Sequence, residues 1–308
     1  MRSAPHAHRR GRPDDEVNQM TGDGNNPEVK IAAPEVKRLR ASGPILILAV
    51  LFVVGAFLTW YFTWFGRDLS DADISQYLVD QKHPRRVQHA LLQIQQRLAR
   101  GDPTVKWYPQ IVGLANHPET EFRLTAAWLM GFDSNSEEFH QALLNLVRDP
   151  EPIVRRNAAL ALVRFNDPSG RPELLAILNP YVVTTPAEGE VASTLKEGSA
   201  LARGTLLARI TQPDKKTVEV RSPLPGKLDR VVATSGSKVV PGAAIMTINS
   251  DEDSLWEALR GLALIGEPQD LPAIETFAKG TVLESERIKQ QATLTVKAIQ
   301  SRAQQNPT

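Results

Sequence analysis

The stretch DPEPIVRRNAALALVRF, residues 149–165, decides the fold of the helical part of this sequence. Its apolar residues recur every three or four positions, a spacing that places them on one face of an amphipathic helix. These residues are Val154, Ala158, Ala161, Leu162 and Phe165. Proline suits the turn before the helix, because its missing N–H would be unpaired in the first helical turn anyway. The pattern therefore predicts a helix that follows a polar–proline turn and buries one face.

The same layout occurs twice more toward the N-terminus. HPETEFRLTAAWLMG (117–131) and HPRRVQHALL (83–92) each join a polar–proline turn to a helix with a basic residue near its start and alanines within. The prolines of successive copies are separated by 34 and 32 residues. A period of this length is typical of repeat proteins, in which each unit stacks on its neighbours. We therefore predict about three helical repeats over residues 70–179.

These copies resemble the HEAT and HEAT-like repeats of α-solenoids. The family core D-P-x-x-x-V-R-x-x-A-A is present in the third copy, and Phe122 occupies the valine position of the second. The resemblance identifies five residues as repeat-signature positions: Pro118, Arg123, Pro150, Val154 and Arg155. It implies an extended surface that binds a protein partner.

From residue 181 the pattern changes to short runs of Val, Leu and Ile interrupted by glycine and proline, which indicates strands and turns. This part is duplicated, because PAEG (186–189) recurs as PLPG (223–226) and other glycines recur in register. The expected turn glycines are Gly189, Gly198, Gly204, Gly226, Gly236 and Gly242. The arrangement over 181–249 resembles the biotinyl/lipoyl domain and the related barrel-sandwich hybrid of periplasmic adaptor proteins.

In that family a D-K-x-x-V-E-V motif presents the modified lysine at a hairpin tip. Asp214 and Lys215 occupy the corresponding positions here, so the resemblance implies that Lys215 would carry a lipoyl or biotinyl group. The approach to the motif is one residue longer than usual and contains Pro213, which would re-aim the lysine. We therefore interpret Lys215 as a solvated hairpin tip and expect no cofactor. A carrier function through Lys215 stays open as an alternative.

Helices are expected again over 251–303. The segment SLWEALRGLALIGEPQDLPAIETFAKG (254–280) aligns with residues 157–178, since both contain an apolar helix, a polar–proline turn and a second helix. The simplest architecture is a solenoid into which a small β-domain is inserted, because insertions at solenoid loops disturb only neighbouring contacts.

Residues 44–65, PILILAVLFVVGAFLTWYFTWF, contain no charged side chain. A helix of about 20 apolar residues can span a bilayer core. We predict a transmembrane signal anchor at 43–66 after a disordered cytoplasmic tail at 1–42. Basic residues before the segment predict a single-pass inner-membrane protein whose N-terminus is cytoplasmic and whose C-terminal domains are periplasmic. The residues expected at the membrane interface are Trp60, Tyr61, Trp64 and Arg67.

Composition argues against several classes of function. The 36 basic and 35 acidic side chains nearly cancel, so overall charge gives no reason to expect nucleic-acid binding. The sequence has no cysteine, which removes disulfides, thiolate metal sites and a thiol nucleophile. The six histidines include no H-x-x-x-H pair, and the acidic residues 251–253 precede a predicted helix whose positive end they complement. We therefore expect no metal site and no enzymatic activity.

Together these patterns predict a multidomain α + all-β protein. It would have one transmembrane helix, an α-solenoid of HEAT-like repeats and an inserted barrel-sandwich hybrid β-domain. We expect a non-catalytic, membrane-anchored scaffold or accessory subunit that binds protein partners, in particular a membrane protein complex. The alternatives are a periplasmic adaptor of a transport system and a lipoyl- or biotin-type carrier.

Overall fold

A computed structural model describes residues 43–60, 68–80, 82–193, 195–283 and 285–305. The chain divides into two compact units, residues 1–59 and 60–308. The N-terminal tail expected at 1–42 lies outside the described residues. The first unit contributes helix α1, Gly43–Trp60, whose last residue belongs to the second unit by this division.

Helix α1 is uncharged but shorter than the predicted membrane span. Its 18 residues correspond to a rise of about 27 Å, against roughly 30 Å for a bilayer core. Among the described residues, no helix combines the length and the apolarity that crossing a membrane requires. The predicted signal anchor and the single-pass inner-membrane localisation derived from it are therefore wrong. Of the expected interface residues, Trp60 ends α1, whereas Tyr61, Trp64 and Arg67 lie outside the described residues.

Ten further helices form most of the second unit within its described residues. They are α2 (Asp71–Val79), α3 (Pro84–Arg100), α4 (Tyr108–Leu114), α5 (Thr120–Met130), α6 (Glu137–Leu146), α7 (Pro152–Arg164), α8 (Arg171–Ile177), α9 (Glu252–Ile265), α10 (Leu271–Ala278) and α11 (Glu286–Gln305). Helix α5 packs on α7 and α7 packs on α9, so these three are successive neighbours in one layer. Helices α6 and α8 each pack against α7, and α8 also contacts α9.

The buried face of each repeat helix follows from its apolar periodicity. Phe122, Ala126 and Met130 of α5 are fully buried, and so are Val154 and Leu162 at the positions 32 residues further on, in α7. Burial of such side chains contributes about 1.5–3 kcal/mol each for the larger ones. The helices from α2 to α7 therefore share one apolar core, and Ala159 and Val163 of α7 belong to a second core together with α8 to α11.

A hydrogen bond from the Tyr108 side chain connects helix α4 to the turn after α5. The hydroxyl of Tyr108 donates to a carboxylate oxygen of Asp133 at 2.5 Å, and the Tyr108 ring packs 4.1 Å from the ring of Phe139. Burial, and secondarily the hydrogen bond to Asp133, raises the pKa of Tyr108 to about 12.

Eight short strands lie between α8 and α9. They are β1 (Tyr181–Thr184), β2 (Gly189–Ala192), β3 (Ala200–Leu201), β4 (Leu206–Thr211), β5 (Thr217–Arg221), β6 (Gly226–Val231), β7 (Lys238–Val239) and β8 (Ala244–Asn249). They form two antiparallel sheets with the orders β1-β8-β6-β3 and β5-β4-β2-β7. Each position in one order differs by four strands from the same position in the other, so the duplicated sequence produces two equivalent sheets.

The predicted fold class is wrong. The terminal strands of each sheet pair on one side only, so both sheets are open and no closed barrel forms among the described residues. Together with the absence of a membrane-spanning helix from the part of the chain that is described, this gives a mixed α/β protein. Its described residues form eleven helices and two open antiparallel sheets.

Two of the predicted turn glycines are required by the duplicated β-structure. Gly189 and Gly226 begin β2 and β6 with φ values of 150° and 154°. A side chain at these positions would collide with the carbonyl oxygens of Thr211 and Asn249, respectively. Only glycine combines this backbone conformation with such a close approach of the neighbouring strand.

The β-segment leaves and re-enters the helical stack at adjacent points. The hydroxyl of Ser250, two residues before α9, donates to the carbonyl oxygen of Ile177 at the end of α8 at 2.9 Å. Helix α9 then packs against α8 and α7. The helical stack therefore continues across the insertion.

Candidate protein-docking groove

A groove of about 350 Å³ runs across the exposed sides of α5, α7 and α9. We call it the docking groove and define it by six lining residues: Trp128, Phe132, Leu160, Arg164, Arg260 and Leu264. Trp128 and Leu264 are 41% and 62% exposed although both are large and apolar. An accessible concave surface with this composition is suited to binding another molecule.

The six residues are equivalent positions of successive repeats. Those of α5 and α7 are 32 residues apart, and those of α7 and α9 are 100 apart. The same offset of 100 relates the turns that follow α7 and α9, which begin at Pro168 and Pro268. The groove thus has two rows, Trp128–Leu160–Arg260 and Phe132–Arg164–Leu264, and Phe132 lies two residues beyond the end of α5. The rows are one helical turn apart, since their members are at i and i+4.

Small residues allow the three helices to approach each other beneath the rows. A Cβ atom at Gly131, directly after α5, would lie 3.0 Å from the Cβ of Ala161 in α7, and one at Gly261 in α9 would lie 3.2 Å from Cγ2 of Val163 in α7. Larger side chains at these positions would push the helices apart. The floor is therefore a closely packed helix surface above which the two rows project.

Arg164 is held in place at one edge of the groove. Its guanidinium lies 4.8 Å from the ring centroid of Phe132 and donates to the carbonyl oxygen of Gly131 at 3.1 Å. Phe132 in turn packs edge-to-face on Trp128, with ring centroids 4.8 Å apart. No carboxylate pairs with Arg164 within the described part of the chain. An oriented cation next to two aromatic rings is the result.

Arg260 supplies the second cation of the groove. Its guanidinium lies 4.8 Å from the ring of Trp256 and 3.7 Å from the carboxylate of Glu257, and the pair is solvent-exposed. Exposed pairs of this kind contribute roughly 0–1 kcal/mol, so Glu257 holds Arg260 only weakly. The lining therefore has two arginines and one glutamate.

The predicted repeat-signature residues lie outside the docking groove, with Pro118 and Pro150 in the turns before α5 and α7 and the other three in the first turns of these helices. Arg123 forms a two-pronged ion pair with Asp149 at 2.7 and 3.0 Å and donates to the carbonyls of His117 and Pro118, both at 2.9 Å. The hydrogen bond to Asp149 raises the pKa of Arg123, against the opposing effect of burial. Arg123 is therefore a structural connection between consecutive repeats.

Arg155 repeats this geometry one unit later. It donates to the carbonyls of Asp149 and Pro150 at 2.9 and 3.1 Å, and it pairs with Glu173 at 3.0 Å. Both arginines thus bond to the carbonyls five and six residues before them. Val154 beside it is fully buried. These positions stabilise the stack and contact nothing in the groove.

The predicted glycines and Lys215 lie in the β-segment. Gly198, Gly204, Gly236 and Gly242 have φ values of 83–89°, as tight turns require. Lys215 is exposed at the tip between β4 and β5, where its φ is 64° and its N–H donates to the carbonyl of Gln212 at 2.9 Å. Lys216 instead pairs with Asp214 at 2.8 Å. The tip therefore presents Lys215.

Other clusters fit a docking or catalytic role less well. A groove of about 650 Å³ lies between α4 and α6, but its described lining contains neither an aromatic ring nor a cation. His140 pairs with Asp167 at 2.6 Å in a contact between α6 and the turn after α7. The carboxylate of Asp251 accepts from the N–H of Ser254 at 2.7 Å and caps α9. Within the described ranges, no three His, Cys, Asp or Glu side chains are grouped as metal ligands.

Comparison with known families supports the repeat assignment. Residues 109–188 match the family of HEAT repeats, a segment that begins in α4 and includes α5 to α8. No curated protein matches the chain. The prediction of a HEAT-like repeat element is therefore confirmed over this part of the sequence. HEAT repeats are commonly protein-interaction modules, which is consistent with protein partners.

The docking groove was not predicted from the sequence. Trp128 and Leu264 lie off the buried face of their helices and Leu160 lies at its edge, and none of the three stands out alone. A signal was present in the aligned repeats, where large apolar or basic residues recur at the two outward positions. Their side-by-side arrangement becomes visible only when the helices are stacked.

Proposed function

We propose that this protein is a non-catalytic scaffold that binds a protein partner through the docking groove. The observation that carries the proposal is the pair of rows across three successive repeat helices, in which exposed Trp128 and Leu264 flank oriented arginines. Tryptophan and arginine are enriched among residues that dominate binding energy at protein interfaces. The match to HEAT repeats supports the same kind of function.

Energetics favour an apolar contact at these two side chains. Trp128 and Leu264 remain 41% and 62% exposed, and complete burial of a large apolar side chain contributes about 1.5–3 kcal/mol, so a partner that covers the exposed parts gains a fraction of this value at each position. Two such anchors can supply a large share of the binding energy, because a few residues dominate it at most protein interfaces. We therefore expect loss of either anchor to weaken partner binding by about tenfold or more while the fold persists.

A photo-crosslinking amino acid with a bulky aromatic side chain, p-benzoylphenylalanine, in place of Trp128 keeps an apolar ring at this anchor and tests this function in the native organism. We expect discrete protein adducts that disappear when Leu264→Asp is added. The matched control carries the crosslinker in place of Val182, which is 49% exposed in β1 of the β-segment. Equal adduct patterns from the two positions, or none from position 128, would contradict a docking role for the groove.

A carrier function through Lys215 is a second candidate. The observation that favours it is the exposed amine at the tip of the β4–β5 hairpin. Intact mass of the protein isolated from its native organism decides the matter, because an unmodified mass excludes a covalently attached cofactor. The transport-adaptor alternative depended on the membrane anchor and is not carried further.

A further inference from the structure

We infer that the docking groove binds an acidic segment of a partner protein, in which a bulky apolar side chain is flanked by carboxylates. This inference rests on the proposed function and specifies the chemistry of the bound segment. It follows from the charges at the rim of the groove, from the unused hydrogen-bonding capacity of Arg164, and from the apolar surface between the rows.

Arg164 is prepared to bind a carboxylate. A guanidinium has five N–H donors in a planar fork, and within the described residues one contact, to the carbonyl of Gly131, uses them. The contact with the Phe132 ring and the hydrogen bond to Gly131 restrict the guanidinium, so binding a carboxylate requires less further ordering of the side chain.

Three other arginines of the helical stack each pair with a carboxylate, whereas Arg164 does not within the described residues. Arg123 pairs with Asp149, Arg155 with Glu173, and Arg171 with Asp270 at 3.1 Å. Each of these cations is neutralised by a carboxylate of a neighbouring element. Arg164 occupies an inter-repeat position as they do, but its carboxylate is not supplied by the described residues. A partner can supply it.

The second cation and the apolar floor define the rest of the segment. Arg260 lies on the other row and one helix further along, and its exposed pairing with Glu257 can be exchanged for a partner carboxylate at little cost. Leu160 lies one helical turn before Arg164 and in the same row as Arg260, so it supplies apolar surface next to the two arginines. A bulky apolar side chain fits there, with an acidic residue on each side of it.

Two measurements on the full-length chain test the inference. Mass spectrometry first identifies the segment crosslinked from position 128, which we expect to contain more Asp and Glu than Lys and Arg. A synthetic peptide of that segment and a twin with Gln and Asn in place of Glu and Asp are then titrated by fluorescence anisotropy. We expect the neutral twin to bind about tenfold more weakly.

Variants of Arg164 test whether the preference for the acidic peptide depends on this arginine. Arg164→Gln should weaken binding of the acidic peptide by about tenfold and remove most of its preference over the neutral twin, whereas Arg164→Lys should retain part of it. The matched control is Arg230→Gln, which removes an exposed arginine from β6 of the β-segment and should change nothing. Vesicles of phosphatidylglycerol provide a separate arm, and we expect no binding that depends on Arg164.

Each outcome decides the question. A crosslinked segment that is neutral or basic, equal binding of the two peptides, or an unaffected Arg164→Gln variant overturns this inference and leaves the scaffold function standing. Crosslinking to a second copy of the chain, or binding of vesicles through Arg164, also overturns it. Absence of any adduct from position 128 overturns both the inference and the proposed function.

Discussion

The ion pair between Arg123 and Asp149 gives the sharpest prediction about stability. Asp149→Ala removes the partner of a guanidinium whose side chain is only 11% exposed, and Asp149 itself is 5% exposed. It also removes the acceptor for the N–H of Glu151 at 2.9 Å. Breaking a buried pair from one side costs about 3–5 kcal/mol, because the remaining charge stays desolvated.

The expected cost lies at the lower end of that range. Arg123 keeps its hydrogen bonds to two backbone carbonyls, which solvate part of its charge. We therefore expect Asp149→Ala to lower the free energy of unfolding by about 3 kcal/mol. Adding Arg123→Met should recover part of this loss, since the unpaired charge is then removed as well.

Urea unfolding followed by far-ultraviolet circular dichroism measures the effect. The control is Asp102→Ala, which breaks the pair with Arg100 at 3.0 Å between side chains that are 59% and 46% exposed. We expect this control to cost less than about 0.5 kcal/mol. The reasoning is refuted if the two single variants are equally stable, or if the double variant is less stable than Asp149→Ala alone.

Three further predictions concern other positions. Gly170→Ala should destabilise the fold by about 1–3 kcal/mol in thermal melts, because the added Cβ would lie 2.7 Å from a backbone atom of α7. The control Gly113→Ala, which has open space around the added Cβ, should stabilise the fold by up to about 1 kcal/mol. Lys215→Gly should stabilise by about 1 kcal/mol in the same assay, since φ is 64° there, and Lys216→Gly should not. The raised pKa of Tyr108, about 12, means that its contribution to stability is complete below pH 10 and is lost as pH rises toward 12. Absorbance titration of tyrosinate should show one late-titrating group that Tyr108→Phe removes, and its persistence in that variant would disprove the assignment.

Features with a strong local signal could be predicted from the sequence. The buried face of α7 follows from the spacing of Val154, Ala158 and Leu162, because helix periodicity alone determines which side chains share a face. The turn glycines of the β-segment were equally accessible, since Gly189 and Gly226 are required by backbone conformation and by the close approach of a neighbouring strand.

Features that depend on length or on neighbours could not be predicted in this way. The apolar run at 44–65 predicted a membrane span, but the described helix ends at Trp60 and is too short for one. The predicted barrel-sandwich domain was also wrong, because a duplicated pattern predicts the strands but not whether the terminal strands of the two sheets pair with each other. The docking groove required the stack itself, since Trp128, Leu160 and Arg260 come from three helices.

The contact between Ser250 and Ile177 has a consequence for how the molecule assembles. Helix α9 joins α8 across 74 intervening residues, 178–251, and closing a flexible loop of that size costs about 4 kcal/mol in chain entropy. In the folded β-segment, β1 pairs with β8, so the two ends of the segment are already close together. Folding of the β-segment therefore offsets this entropy cost before α9 packs on α8. Folding of α9 to α11 should therefore be coupled to folding of the β-segment. Proteolytic cleavage within the sheets should loosen α9 to α11 while α3 to α8 remain packed.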